Sequence, residues 1–372
     1  EGALQADGSS PFPEITWNRV EHLIDLAGYD NLVFRNLPFR FIGDATPTGK
    51  YVMIDTVGGS TGLVVDHCVA RGYVDGLLSS GAVGALVNPQ VTHNTAPACV
   101  LSGVYGYFQK AEIHNNIFTS LAGSNTYGAI HMLAHPTVGT HSGNSIRENI
   151  TSGFKHGVYS DALGDRIETN YVSDCTNEGV LALRAASVSH NYLTNVHTTD
   201  PGATAAWVGL WVKIGTAPCP ATQVVNNFVI MPDTWTVDSA DSNVSAWRAP
   251  IVVEPTTGSG TPGRSPWIAG NQCFYDPASL ELAPMLLLGD YMTADANPCN
   301  IVVWGTNNTL LNNTSAKLLI NFDLYGWWYD LPSLNITTNG VNNLSGNTTI
   351  TTAALGDSTI AIGNVFGGGG AD

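Results

Sequence analysis

The stretch Ile146-Arg-Glu-Asn149-Ile-Thr, followed by Ile167-Glu-Thr-Asn170-Tyr-Val and Val188-Ser-His-Asn191-Tyr-Leu, decides the fold, because one phrase returns with its Asn residues 21 positions apart. Working outward, the phrase recurs at Ile113-His-Asn-Asn116-Ile-Phe and Val224-Val-Asn-Asn227-Phe-Val, with looser copies at Val33 to Asn36, Ile268 to Asn271 and Gly340 to Asn343. Other gaps are longer, such as the 36 residues from Asn191 to Asn227, so a coil of fixed length carries insertions. Periods of roughly 20–50 residues mark solenoids, and short β-rich units with Asn at a bend predict an all-β parallel β-helix rather than a helical repeat. Asn suits such a bend because it tolerates a left-handed backbone, and its amide can hydrogen-bond the equivalent amide one coil away. A stacked Asn column, an internal ladder, then satisfies polar groups that burial would otherwise strand.

The 372 residues could fill two or three ordinary domains, but the repeat runs on without a Pro/Ser linker. The expected division is a cap over residues 1–30, a β-helix over 31–333, and Asn/Thr-rich coils with a flexible Gly tail over 334–372. Between Trp17 and Leu26, apolar residues fall at helical spacing, which reads either as a capping helix or as another strand. A net charge of −16 without a Lys/Arg cluster argues against nucleic acid as a partner. No apolar run reaches the roughly 18–20 residues that span a bilayer, so membrane insertion is not expected. The chain opens on Glu1 without a signal peptide, which suits a processed product. Six cysteines lack metal-ligand spacing; Cys219 and Cys299 lie in Pro-flanked loops suited to disulfides of an oxidising compartment, the alternative being buried thiols.

The run Tyr51-Val-Met-Ile-Asp55, Gly62-Leu-Val-Val-Asp66-His67-Cys68 and Asp75-Gly-Leu-Leu resembles the strand sequence of pectate lyases, within the right-handed parallel β-helix superfamily that also holds polysaccharide hydrolases and phage tailspikes. The resemblance implies a single-stranded right-handed β-helix with loop insertions, and it implies a calcium ligand at Asp55, with Asp75 near a second ligand and Ser79 where another carboxylate would stand. The Asp66-His67 match reads as shared scaffold or as a remnant calcium site. The lyase "R-x-P-x-x-R" segment that supplies the proton-abstracting Arg has no counterpart between Asn116 and Arg147. Abstraction beside a uronate needs a strong base and cations, so hydrolysis is expected ahead of elimination, with no cofactor required beyond that calcium.

A second set of segments lies between the Asn phrases: Gly128-Ala-Ile-His-Met132, Gly157-Val-Tyr-Ser-Asp161, Gly179-Val-Leu-Ala-Leu183, Gly209-Leu-Trp-Val-Lys213 and Pro250-Ile-Val-Val-Glu254. If the residue after each Gly points inward, strand alternation turns Tyr159, Asp161, Trp211, Lys213 and Glu254 outward, with Lys213 beside Glu254. Asp161 would stand roughly 14 Å from Glu254 at about 4.8 Å per coil, beyond the about 5–9.5 Å of a glycosidase carboxylate pair. The catalytic candidates are therefore Asp161, Asp165 and Glu178 with His156, the substrate-binding candidates Tyr159, Trp211, Lys213, Glu254 and Arg184. The alternative for the acids is turn capping. Arg147 and Glu168 fall at one outward position of consecutive coils, predicting a salt bridge. His135 and His141 flank a long loop and border either a groove or solvent, and no HExxH, nucleophile elbow or phosphate loop appears.

Insertions between Asn191 and Asn308 carry Trp207, Trp211, Trp235, Trp247 and Trp267 near acids, the furniture of a sugar groove. The nearly uncharged tail from Leu334 to Phe366 invites strand addition, giving a homotrimeric spike or head-to-tail assembly. Two functions follow: a secreted or virion-borne polysaccharide hydrolase, or a non-catalytic adhesin or receptor-binding β-helix.

Overall fold

The computed structural model describes residues 14–17, 23–26, 28–42, 52–56, 59–71, 76–81, 86–121, 127–134, 142–196, 207–214, 222–231, 248–255 and 267–275, together with short strands between 281 and 349. Among the described residues there is no helix, and the two ends of the ambiguous N-terminal segment are strand, Ile15–Trp17 and Ile24–Asp25. The chain divides into two compact units, Glu1–Cys175 and Thr176–Asp372.

In the first unit every coil contributes one strand to each of three long parallel sheets. Sheet 1 holds Pro38–Phe41, Val69–Arg71, Thr95–Cys99, Ile117–Ser120, Ile150–Ser152 and Tyr171–Ser173. Sheet 2 holds Val33–Arg35, Val64–Asp66, Gln90–Thr92, Glu112–His114, Ser145–Arg147 and Arg166–Glu168. Sheet 3 holds Ile24–Asp25, Val52–Thr56, Gly76–Ser80, Val104–Gly106, Gly128–Met132 and His156–Ser160. The chain is thus an all-β parallel β-helix with an Asn ladder.

Alternation explains the interior. In sheet 2 the middle residues Val65, Val91, Ile113, Ile146 and Ile167 lie in register and are wholly buried. Sheet 3 does the same with Ile54, Leu78, Val104, Ile130 and Val158. Burying each such side chain contributes about 1.5–3 kcal/mol, comparable to the two or three ladder bonds a three-residue strand makes with its neighbour at about 1 kcal/mol each. At Gly103 a Cβ would run into the Phe118 ring, so the turn into sheet 3 can approach sheet 1 only with glycine.

Between sheets 2 and 1 the backbone turns through two residues. The first adopts positive φ: Asn36, His67, His93, Asn115, Glu148 and Thr169 all lie between 52° and 58°. The second is the ladder residue. Asn94, Asn116, Asn149 and Asn170 are buried, and each of the first three donates from both N–H and Nδ2 to the Oδ1 of the next. The ladder Asn therefore does not itself take the left-handed conformation that the sequence argument assigned to it; the preceding residue does. For the same reason Asn36 is not a rung. It stands in the positive-φ column, and Leu37 and Cys68 occupy the ladder position of the first coils, where the Cys68 N–H donates to Asn94 Oδ1 at 2.9 Å.

A second, shorter ladder turns the chain into sheet 2. Asn144 Oδ1 accepts from the Ala111 N–H at 2.9 Å, and Asn144 donates from N–H and Nδ2 to Asp165 Oδ1 at 3.0 and 2.9 Å.

In the second unit, Asn191, Asn227 and Asn271 form a ladder of the same geometry, again with positive φ one residue earlier at His190, Asn226 and Gly270. The register there pairs Lys213 with Glu254 and Trp211 with Val252. One strand departs from the parallel pattern: Glu281–Leu282 runs antiparallel to Gln272–Tyr275. The tail contributes Asn335–Thr338, paired with Asn300–Val303, and Thr348–Thr349, paired with Thr314–Ser315. Asn343, Asn364 and the Gly-rich end lie outside the described residues.

The disulfide expectation fails where the structure tests it. Cys68, Cys99, Cys175 and Cys273 are buried thiols outside any disulfide and pack as small apolar side chains. Burial pushes the Cys68 thiol up to about 11 and raises that of Cys273 as well, so neither is a ready nucleophile or metal ligand. Cys219 and Cys299 lie outside the described residues.

Candidate functional site

Because Val104, Ile130 and Val158 face the interior of the first unit, the residues that follow them face out, and Tyr105, His131 and Tyr159 line up across three adjacent strands of sheet 3. The His131 and Tyr159 rings stack at 4.2 Å between centroids and 16° between planes, and Tyr105 leans on His131 at 5.1 Å. Tyr127, from the turn before Gly128–Met132, presents its edge to both, at 5.4 Å from Tyr105 and 5.6 Å from His131. His156 closes the group at 5.7 Å from Tyr159. Tyr127 remains 38% exposed, so this is a ring platform open to solvent. The same outward column continues through Ser79 and Asp55 to Asp25.

His131 sits beneath the tyrosines and is only 8% exposed. The Gly128 N–H donates to its Nδ1 at 3.4 Å, which leaves the proton on Nε2. Burial, aided by the nearby His156 and Lys155, pushes its pKa down to about 3, so the ring is neutral and stacks as an aromatic plate. Burial beside Tyr127 and Tyr107 raises the Tyr105 phenol.

The candidate residues divide between the units. In the first, His156 and Tyr159 belong to the platform, and Asp161 follows the strand, half-buried, with its N–H donating to Met132 O at 2.9 Å. Asp165 is different. It is wholly buried as a rung of the second ladder, and its Oδ2 accepts from the Ser160 hydroxyl at 2.8 Å. In the second unit Glu178 is 4% exposed and accepts from Asn177 Nδ2 at 2.8 Å. Arg184 is half-buried between Val180–Ala182 and Ser187–Ser189. Lys213 Nζ lies 4.5 Å from the centre of the Trp211 ring, a cation–π contact, and Glu254 is its neighbour in backbone register. Trp235, Trp247, His135, His141 and Asp75 lie outside the described residues.

Tyr105 and Tyr127 are absent from the sequence-based candidates, and His131 enters only as part of the Gly128-Ala-Ile-His-Met132 segment. The glycine alignment caused this: Gly128 pairs with His156, not Gly157, so Ala129 stands opposite Gly157 and the strand shifts by one. Aligning the apolar–aromatic pairs Val104-Tyr105, Ile130-His131 and Val158-Tyr159 would have found the column. Arg147 also departs from expectation. It stands in register with Glu168 but turns to Glu148, with Nη1 at 3.1 Å from Oε2, and towards Glu112 at 3.9 Å.

Calcium wants six to eight oxygen ligands. The described surroundings of Asp55 offer Asp25 and Ser79 as register neighbours, Asp55 Oδ1 accepts from the Thr56 N–H at 3.0 Å, and Asp75, the other expected ligand, lies outside the described residues. The convergent ligand set among the described residues lies elsewhere, on sheet 2, where Asp66, His67 and His93 bring their ligand atoms within 4.8 Å of one another. No protein-family model matches the chain, and no curated protein or solved structure matches it either.

Proposed function

We propose that this protein binds a polysaccharide chain along the outward face of sheet 3 in its first unit, as the resemblance to pectate lyases and tailspikes also suggests. The observation that carries the reading is the platform of Tyr105, Tyr127, His131 and Tyr159. Flat rings in register accept the apolar faces of successive pyranoses, while flanking polar groups take their hydroxyls. Coils recur at about 4.8 Å, so the column from Asp55 to Tyr159 spans roughly 19 Å. Its carboxylates, Asp25, Asp55 and Asp161, and the net charge of −16 favour a neutral glycan over a polyanion. The reading goes with an extracellular or virion-surface setting, where such chains are met.

Binding is supported ahead of cleavage. Asp165 is sealed in the second ladder, which leaves Asp161 as the accessible member of the expected pair within that unit. A panel of neutral and acidic polysaccharides screened by affinity electrophoresis tests both. Retardation by a neutral polymer is expected, with Tyr127→Ala or Tyr159→Ala weakening it roughly 10-fold, the scale of one aromatic contact. Unchanged affinity in both variants would remove the platform from the account. Release of reducing ends, abolished by Asp161→Asn, would restore the hydrolase reading, and a near-ultraviolet absorbance from unsaturated uronate would replace it with a lyase.

A further inference from the structure

On a different face of the first unit, two neighbouring columns of sheet 2 and its corner bring together groups that the polysaccharide reading does not use. The outward column runs Arg35, Asp66, Thr92, His114, Arg147, Glu168, and the positive-φ column beside it runs Asn36, His67, His93, Asn115, Glu148, Thr169. At most coils these positions carry ordinary surface groups. At Asp66 they converge. Its Oδ1 lies 2.9 Å from His67 Nδ1, 3.2 Å from His93 Nδ1 and 2.7 Å from the Thr92 hydroxyl, while Oδ2 is held by Arg35 Nε at 3.0 Å. The two imidazoles stack at 4.5 Å between centroids, so both present Nδ1 to the same oxygen.

We propose that Asp66 Oδ1, His67 Nδ1 and His93 Nδ1 form a binding site for a divalent transition-metal ion of the zinc class, with a fourth position open to solvent. A tetrahedral ion with bonds of about 2.0–2.1 Å sets its ligands about 3.3 Å apart. The two carboxylate-to-imidazole distances of 2.9 and 3.2 Å lie close to that edge, and the stacked rings, 17° apart in plane, have to rotate to bring both Nδ1 lone pairs onto the ion. Two imidazoles and a single carboxylate oxygen suit zinc, copper or nickel, and too few oxygens are present for calcium or magnesium.

The surroundings supply what such a site requires. The Thr92 hydroxyl, 2.7 Å from Oδ1, orients the carboxylate oxygen towards the two imidazoles. Arg35 fixes the carboxylate through the other oxygen, so Oδ1 keeps the Thr92 hydroxyl and faces the two imidazoles. When Nδ1 of each neutral ring takes the metal, its proton moves to Nε2. Asn115 Nδ2 now lies 3.4 Å from His93 Nε2 and 3.1 Å from His114 Nδ1. A flip of the Asn115 amide would offer its oxygen to the new Nε2–H, the outer-shell partner that orients a ligating histidine. His114 stands edge-on to His93 at 5.7 Å.

Calorimetric titration of the full chain with zinc chloride tests the site. The expected result is binding of one equivalent that excess calcium does not displace. His67→Asn and His93→Asn are the informative variants, because Asn already occupies the same positive-φ column at positions 36 and 115 and keeps the turn intact. Each should weaken binding by more than the roughly 10–100-fold that loss of an outer-shell partner costs, and Asn115→Ala should fall within that range. With copper(II) in place of zinc, paramagnetic resonance should show coupling to two imidazole nitrogens, reduced to one in either histidine variant. No stoichiometric binding by the unaltered chain overturns the proposal, as does binding that survives the double His67→Asn/His93→Asn variant with an unchanged circular dichroism spectrum.

Discussion

Glu148 and Asn149 are consecutive, yet the columns they belong to obey different rules. The Asn149 column is wholly sealed and carries one side chain from Asn94 to Asn170, because each rung must both accept two hydrogen bonds at Oδ1 and donate to its neighbours. The Glu148 column, one residue earlier, is under a backbone constraint only: positive φ favours Asn and His and strains a β-branched residue, but it demands no particular hydrogen-bonding side chain. It holds Asn, His and Glu, and even the β-branched Thr169. Burial with hydrogen bonding dictates chemistry; a turn at the surface merely tolerates it. That is why the exposed column is free to assemble the His67 and His93 pair.

The comparison breaks most readily at its buried side. Asn149→Ala strips the acceptor from the Asn116 N–H and from one Asn116 Nδ2 hydrogen, and it removes the Nδ2 donor from Ile113 O and from Asn170 Oδ1, which keeps the Asn149 N–H. At about 1 kcal/mol for each buried bond lost, the loss should be about 4 kcal/mol, read as a lower denaturation midpoint in urea. A loss under about 1 kcal/mol would mean that the ladder is ornament and that apolar stacking alone holds the coils.

A smaller effect comes from the platform, where an outward column is nonetheless buried. His131 is neutral in the fold with a pKa of about 3 against 6.5 when free. Below pH 6.5 the unfolded chain binds the proton that the folded chain refuses. Stability is therefore full above pH 6.5 and declines as the pH falls towards 3, by on the order of 3 kcal/mol at pH 4. His131→Phe keeps a stacking ring without a titrating group, so its stability should fall less between pH 6.5 and 4 than that of the unaltered chain. Parallel pH profiles for the two proteins would instead put His131 in contact with water.

These two residues also mark how far the sequence could be read. The ladder was legible because burial repeats one residue type at a fixed offset, and Asn116, Asn149, Asn170, Asn191 and Asn227 all stand where the phrase put them. Asn94 was passed over because its coil reads Val91-Thr-His-Asn94-Thr-Ala, with Thr95 in place of the apolar residue that follows the other rungs. Asn36 was taken for a rung because a positive-φ Asn and a ladder Asn look alike without the register. The candidate site was less legible still. Tyr105, Tyr127 and His131 meet only through strand register, and a one-residue slip at Gly128 hides the meeting. Asp165 looked like a catalytic acid because a buried rung and an exposed carboxylate are the same letter.

The smallest effect sharpens the exposed side of the comparison. Thr169 is exposed and holds φ at 58°, where a β-branched residue is an outlier, whereas Asn is at ease in the same column at 36 and 115. Nothing buried depends on the Thr169 side chain, so Thr169→Asn should relieve backbone strain without disturbing a contact, raising stability by about 1 kcal/mol. The parallel change at Glu148 should gain less, since Glu148 also holds Arg147 at 3.1 Å. Denaturation midpoints of the two variants separate the contributions. If Thr169→Asn is neutral or destabilising, positive φ at this corner carries no measurable strain, and the variety of the column would have to be traced to side-chain contacts instead of to the tolerance of the turn.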